Sequence, residues 1–343
     1  MFAKIKIKRF YRWLRRPFEW ALVWTAYATI PFLSKSAVLR LARCIAAISY
    51  RFDRQGKAIA HANLQIMFSQ RISPWREKQL VRRVYRNLAY VLVNVFWMSR
   101  HTRARMADTV AFAPCVLTAL RQHLPAITVS AHLGNWEILS QACVMHDIPM
   151  MSIAKMLGSP KMTAHLTRLR STIGQQIVPN DGALRQLIQA LKNGTSIGLL
   201  IDQHVQPWEG GTWVNFFDRP IGVALTPAIL ARKYATPIVF AWSRPLKNGR
   251  YRIELGEIFT PDPTIDDHLR TQQIIAAFEK VIRRHPSLWC LNYRRWRHIL
   301  PHEDPARYPF YAQPFTPDDY NAHTLRTAEP QKSRSTAARQ DPL

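Results

Sequence analysis

His132 and Glu137 stand five residues apart in Val129-Ser-Ala-His132-Leu-Gly-Asn-Trp-Glu137, where an apolar run gives way to a helical pattern. A carboxylate accepting from one ring nitrogen fixes the imidazole tautomer and supports positive charge, leaving the other nitrogen free to take a proton from an alcohol. That chemistry suits O-acyl transfer, in which a hydroxyl attacks a thioester carbonyl and neither a covalent enzyme nucleophile nor a cofactor is required. In a continuous helix, residues five apart point about 140° away from each other. Gly134-Asn135 suits the turn conformations that would fold the Glu137 carboxylate back toward the ring. The competing reading is a His closing a strand and a Glu stabilising the positive end of a helix.

Other residues suit an anionic substrate. Arg168 and Arg170 diverge by about 200° on a regular helix, so one of the two faces a site, where Arg is suited to bidentate phosphate recognition. Asp202 ends a buried strand, where a carboxylate is costly without a partner. It either orients an Arg, positions the acceptor, or closes a structural network. Arg219, between Phe217 and Pro220, is either a desolvated phosphate contact or an interior partner of Asp218. Arg294, Arg295 and Arg297 read as a basic C-terminal helix, which serves as a substrate contact, a solvated face or a membrane contact. Asn135, in the turn before Glu137, and Gln203, next to Asp202, complete the expected substrate contacts.

The elements that must position these residues alternate. Ser73-Pro74 opens a helix with Leu80, Val84, Leu88, Leu92 and Val95 at helical spacing, ending near Ser99, and the region before about residue 110 is helical. Beyond it, strands are expected at 126–130, 148–154, 196–201, 237–242 and 251–258, with helices at 137–146, 182–192 and 224–234. This predicts an α/β fold: a central, mostly parallel sheet flanked by helices, preceded by a helical, membrane-associating N-terminal region. The domains expected are a basic, apolar region over 1–60, an acyltransferase domain over 61–315 and a disordered polar tail over 316–343.

The chain of 343 residues carries 48 Lys and Arg against 22 Asp and Glu, a net charge of +26. An excess of that size calls for an anionic partner. The first 60 residues hold 13 basic and 2 acidic residues. Lys4, Lys6, Lys8, Arg9, Arg12, Arg15 and Arg16 precede an apolar run from Trp20 to Leu33, which as a helix would rise about 21 Å against a hydrocarbon core of roughly 30 Å. A short or tilted span and an interfacial helix on an anionic leaflet both fit. A nucleic-acid reader is disfavoured, because the basic residues are spread along the chain without an RNP-like or zinc-finger pattern. Cys44, Cys115, Cys143 and Cys290 form no zinc-ligand spacing and no disulfide framework. No G-x-S-x-G or H-E-x-x-H occurs, which removes the serine-hydrolase and zinc-hydrolase readings.

The H-x-x-x-x-E motif at His132–Glu137 resembles that of the glycerolipid acyltransferase superfamily, and its His-Leu-Gly-Asn-Trp-Glu form is similar to the late lauroyl and myristoyl transferases of lipid A biosynthesis. Arg168-Leu-Arg-Ser171, Leu199-Leu-Ile-Asp202-Gln203, Phe216-Phe-Asp-Arg219-Pro220, Pro237-Ile-Val239, Trp289 and Tyr293-Arg-Arg-Trp-Arg297 follow in the same order. The resemblance spans about residues 10 to 301. It implies an inner-membrane enzyme with its active site facing the cytoplasm, acyl carrier protein as donor, and a phosphorylated glycolipid, a lipid A precursor, as acceptor. A lysophospholipid-type acceptor is the alternative. His204 after Asp202-Gln203, and the long connection to Phe216 carrying Trp208 and Trp213, depart from the family pattern.

Overall fold

Ser73 accepts a hydrogen bond from the Arg76 N–H, and Pro74 occupies the first turn of a 24-residue helix, Pro74–Trp97. Cap and proline start this helix as expected. Its buried stripe passes through Val81, Val84, Tyr85 and Ala89, whereas Leu92 is 54% exposed. The expected apolar row fails there because steps of four residues rotate by about 40° each, so three steps from Leu80 leave the stripe. A computed structural model describes residues 20–69, 71–154 and 160–315. The basic residues before Trp20 and the expected tail over 316–343 lie outside the described residues.

Residues 20–29 are helical and continue into a 3-10 turn, Ile30–Phe32. Helices Lys35–Phe52, Arg54–Met67 and Thr102–Thr109 complete the helical region around Pro74–Trp97. Leu22, Trp24 and Phe32 are exposed. Among the described residues, no helix is long and apolar enough to cross a membrane.

The central sheet has seven strands: β1 (Val110–Phe112), β2 (Ile127–Ser130), β3 (Met150–Ala154), β4 (Gln176–Pro179), β5 (Ser196–Leu200), β8 (Ile238–Pro245) and β9 (Tyr251–Phe259). Their order is β1-β9-β8-β2-β5-β3-β4. All neighbouring pairs are parallel except β8 with β9. Ile127 and Val129 point into one core cluster with Phe240, while Val239 and Ala241 of the neighbouring strand point into a second on the opposite face. Helices cover both faces, so central strands are apolar throughout rather than alternating.

An antiparallel hairpin, β6 (Gly211–Asn215) with β7 (Pro220–Ala224), lies outside this sheet, as does a short parallel pair, β10 (His298–Ile299) with β11 (Gln313–Pro314). The expected alternation of strands and helices does not include this hairpin, and the helix expected from residue 224 begins instead at Thr226, after the end of β7. The helix expected over 137–146 divides into a 3-10 turn, Trp136–Ile138, and an α-helix, Leu139–Met145. No helix forms around Arg294–Arg297: the chain there is irregular up to β10.

Candidate active site

Two parallel neighbours bring the site together. Ser130 of β2 is in register with Leu200 of β5, and His132 and Asp202 each follow two residues later. Both side chains therefore leave the same carboxyl edge at the same height, the place where ligands bind in open α/β sheets. His132 Nδ1 lies 2.6 Å from Asp202 Oδ1. The amide of Gln203 lies 3.3 Å from His132 Nε2. With Nδ1–H donating to the carboxylate, Nε2 keeps its lone pair and accepts from that amide.

Asp202 is 2% exposed and fully partnered. Its Oδ2 accepts from Trp289 Nε1 at 2.9 Å and from the Arg295 guanidinium at 2.5 Å. Arg295, itself buried, also donates to the carbonyls of Cys290 and Asp202 and lies over the Trp289 ring. Burial alone would raise the Asp202 carboxyl, but the charges and hydrogen bonds of His132 and Arg295 outweigh it and hold the group well below the usual carboxylate range. The site thus contains an aspartate held in its ionised form and aimed at one imidazole nitrogen.

Glu137 does not meet His132 in the expected way. Its carboxylate accepts from Arg170 at 2.7 Å. Gly134 is the cause: its φ of +64° turns the chain so that its N–H bonds the Leu288 carbonyl, and the 3-10 turn begins at Trp136. The Trp136 ring packs against the His132 ring instead, with centroids 4.9 Å apart. Glu137 and Arg170 line a small pocket with Asn94, Asn135 and Gln141. Asn94 Oδ1, Gln141 Oε1 and Arg170 Nε are buried there with no hydrogen-bond partner among the described residues.

The other expected contacts are distributed unevenly. Arg170 turns inward and Arg168 is exposed, so one of the pair faces the site. Asn135 is fully buried, its backbone N–H and C=O both bonded to Ser243 Oγ. Arg219 is not paired with Asp218: its guanidinium donates to the carbonyls of Arg307 and Phe217, closing the turn at 216–219. Arg294 lies over the Tyr311 ring and Arg297 donates to the Tyr293 hydroxyl.

Ser243 and Asn87 hold the His132 loop and were not singled out from the sequence. Asn87 Nδ2 donates to the carbonyls of Gly134 and Leu288. The signal for Ser243 was present: a serine inside the apolar strand β8 must find a partner. Segment 288–290 pairs with the loop from the other side, through Gly134 N–H to Leu288 O and Cys290 N–H to His132 O. A Cβ at Gly134 would lie 1.7 Å from the Ser243 carbonyl oxygen. Gly134→Ala should therefore displace the loop and lower both melting temperature and turnover, by roughly 1–3 kcal/mol in stability for strain of this kind; a variant that melts and turns over like wild type would show that the loop tolerates another path.

A His–Asp pair at the carboxyl edge of a parallel sheet is an arrangement able to hold an imidazole for proton transfer. The class is acyltransferase. The chain belongs to the bacterial lipid A biosynthesis acyltransferase family, whose model matches residues 6–298. No curated protein matches it significantly.

Proposed function

We propose that the protein transfers a fatty-acyl group from an acyl carrier protein thioester to a hydroxyl of a phosphorylated glycolipid, with His132 as general base. The observation that carries this reading is the 2.6 Å contact between His132 Nδ1 and the buried, charge-compensated Asp202. The acceptor hydroxyl takes the place of the Gln203 amide at Nε2 and gives up its proton as its oxygen attacks the thioester carbonyl. The imidazolium, stabilised by Asp202, then returns the proton to the departing thiolate. Glu137, paired with Arg170, acts by positioning substrate beside the ring rather than by orienting it.

The donor assignment rests on charge. A protein of +26 attracts an acidic carrier protein over about one Debye length, about 8 Å at physiological salt. Given both thioesters of one acyl chain at equal concentration, the purified enzyme should prefer the carrier-protein form; preference for the coenzyme A form would remove the carrier protein from the mechanism. Mass spectrometry of lipids from cells with and without the protein identifies the acceptor, and an unchanged glycolipid fraction would exclude it.

The proposed location is the cytoplasmic face of the inner membrane. The support is the basic segment before Trp20 joined to the exposed Leu22, Trp24 and Phe32. Deleting residues 1–33 should shift the protein to the soluble fraction. Complete pelleting of the truncated chain with membranes would place the contact elsewhere.

A further inference from the structure

The chain from Leu288 to Arg295 supplies contacts to both His132 and Asp202, yet it has little regular structure of its own. After the 3-10 turn Pro286–Leu288 and one bridge from Trp289 to Leu133, it runs to Arg295 without helix or strand. Buried carbonyls in such a segment have no ladder to join and must be met by side chains. The Cys290 carbonyl accepts from Arg295 at 2.6 Å. The carbonyls of Leu291 and Tyr293 both accept from one amide, Asn63 Nδ2, at 2.7 and 2.9 Å. Asn63 is fully buried on the helix Arg54–Met67 and was not singled out from the sequence. The other end of its amide is also engaged: Oδ1 accepts from the Tyr311 hydroxyl at 2.5 Å. Tyr311 is buried too, and its oxygen accepts from the backbone at Arg295 and Trp296. Both ends of the Asn63 amide therefore act on the stretch of chain that carries Arg295.

We propose that Asn63 is a positioning residue of the reaction, fixing the curve of residues 290–295 and so the points at which Trp289 and Arg295 meet Asp202. The inference rests on the reading of His132 as general base. Leu291 lies two residues after Trp289, and Tyr293 two before Arg295, so the two bonds clamp the segment just inside its two working side chains. Those side chains both donate to Asp202 Oδ2, which leaves Oδ1 facing His132 Nδ1. Without them the carboxylate is free to turn about its bond to the chain, and the oxygen at Nδ1 loses its fixed direction. Misplacing a group that aligns reacting atoms by about 1 Å costs up to about 10² in rate.

A buried asparagine also has a plainer use, joining two elements of a core. The partners of Asn63 separate the two uses. A leucine of the same branched shape would leave the Leu291 and Tyr293 carbonyls and the Tyr311 hydroxyl without their partner, and satisfying them again requires the segment to move.

The test uses the full-length protein with an acyl carrier protein thioester and a phosphorylated glucosamine disaccharide lipid, reading thiol release. Asn63→Leu should lower kcat roughly 10- to 100-fold and leave KM for both substrates within about twofold, because the residue acts on the base and not on substrate. Coupling is the sharper readout. Trp289→Phe removes one donor to Asp202 Oδ2 and keeps an aromatic ring. If Asn63 works through that carboxylate, the double variant should lose clearly less than the product of the two single losses. Losses that multiply would overturn the proposal and leave Asn63 a structural residue. A folded Asn63→Leu protein with wild-type kcat would overturn it as well. Where Asn63→Leu does not fold, Tyr311→Phe takes its place, removing only the hydroxyl that holds Asn63 Oδ1. It should lower kcat roughly threefold, again less than multiplicatively with Trp289→Phe; wild-type kcat or multiplying losses there would overturn the proposal. A folded His132→Ala variant turning over like wild type would instead overturn the base reading beneath it.

Discussion

His132→Ala should lose about 10² to 10⁴ in turnover, the usual cost of removing a positioned base, while the protein still folds. The fold should survive because the His132 side chain is 16% exposed at a loop and its backbone is held by others, Cys290 N–H and the Gly134 clamps. The loss should appear in kcat, since a proton is withdrawn only as the acceptor attacks. Thiol release in the presence of acceptor measures it directly. A folded His132→Ala variant turning over at near the wild-type rate would end the assignment of His132 as base.

Asp202→Asn should damage both stability and rate. Its carboxylate neutralises Arg295, whose side chain is 1% exposed, and removing one partner of a buried ion pair costs about 3–5 kcal/mol. Denaturant midpoints of wild type and variant give this difference. Its pH dependence has a defined sign. A carboxyl whose pKa is depressed on folding stabilises the fold above its unfolded value, about 3.9, and that contribution is lost as pH falls toward the lower folded value. The variant lacks this contribution, so the gap between the two proteins should narrow in acid. Turnover should fall by roughly 10² to 10⁴ because an amide neither selects the tautomer nor supports the imidazolium. An Asp202→Asn protein as stable as wild type at neutral pH, and as fast, would leave the aspartate without either role.

The strands were legible because a parallel sheet covered on both faces writes short apolar runs such as Ile127–Ser130 and Ser196–Leu200. The edge strands Val110–Phe112 and Gln176–Pro179 were not, being three and four residues long with mixed exposure. His132 and Asp202 each stood out as polar residues closing apolar strands. Their partnership did not, because it depends on the β2–β5 register across 70 residues. Glu137 was drawn toward His132 by proximity in sequence, but a turn has two directions and the Ser243 and Leu288 contacts select the one that hands Glu137 to Arg170. Arg295 looked like one cation in a basic run. Nothing local distinguishes it from Arg294; its place under Trp289 belongs to the tertiary fold.

Asp202 is separated by 70 residues from His132, by 87 from Trp289 and by 93 from Arg295, yet all three touch its two oxygens. Loops of that length close late, after local helices and neighbouring strands have formed. A growing chain that has emerged only through β9 already holds both strand ends, but its aspartate has no arginine and its His132 loop lacks the pairing from 288–290. The segment from Leu288 to Arg295 is thus the keystone of the His132–Asp202 pair. A chain that stops short of Trp289 and Arg295 has His132 and Asp202 without the contacts that set their geometry.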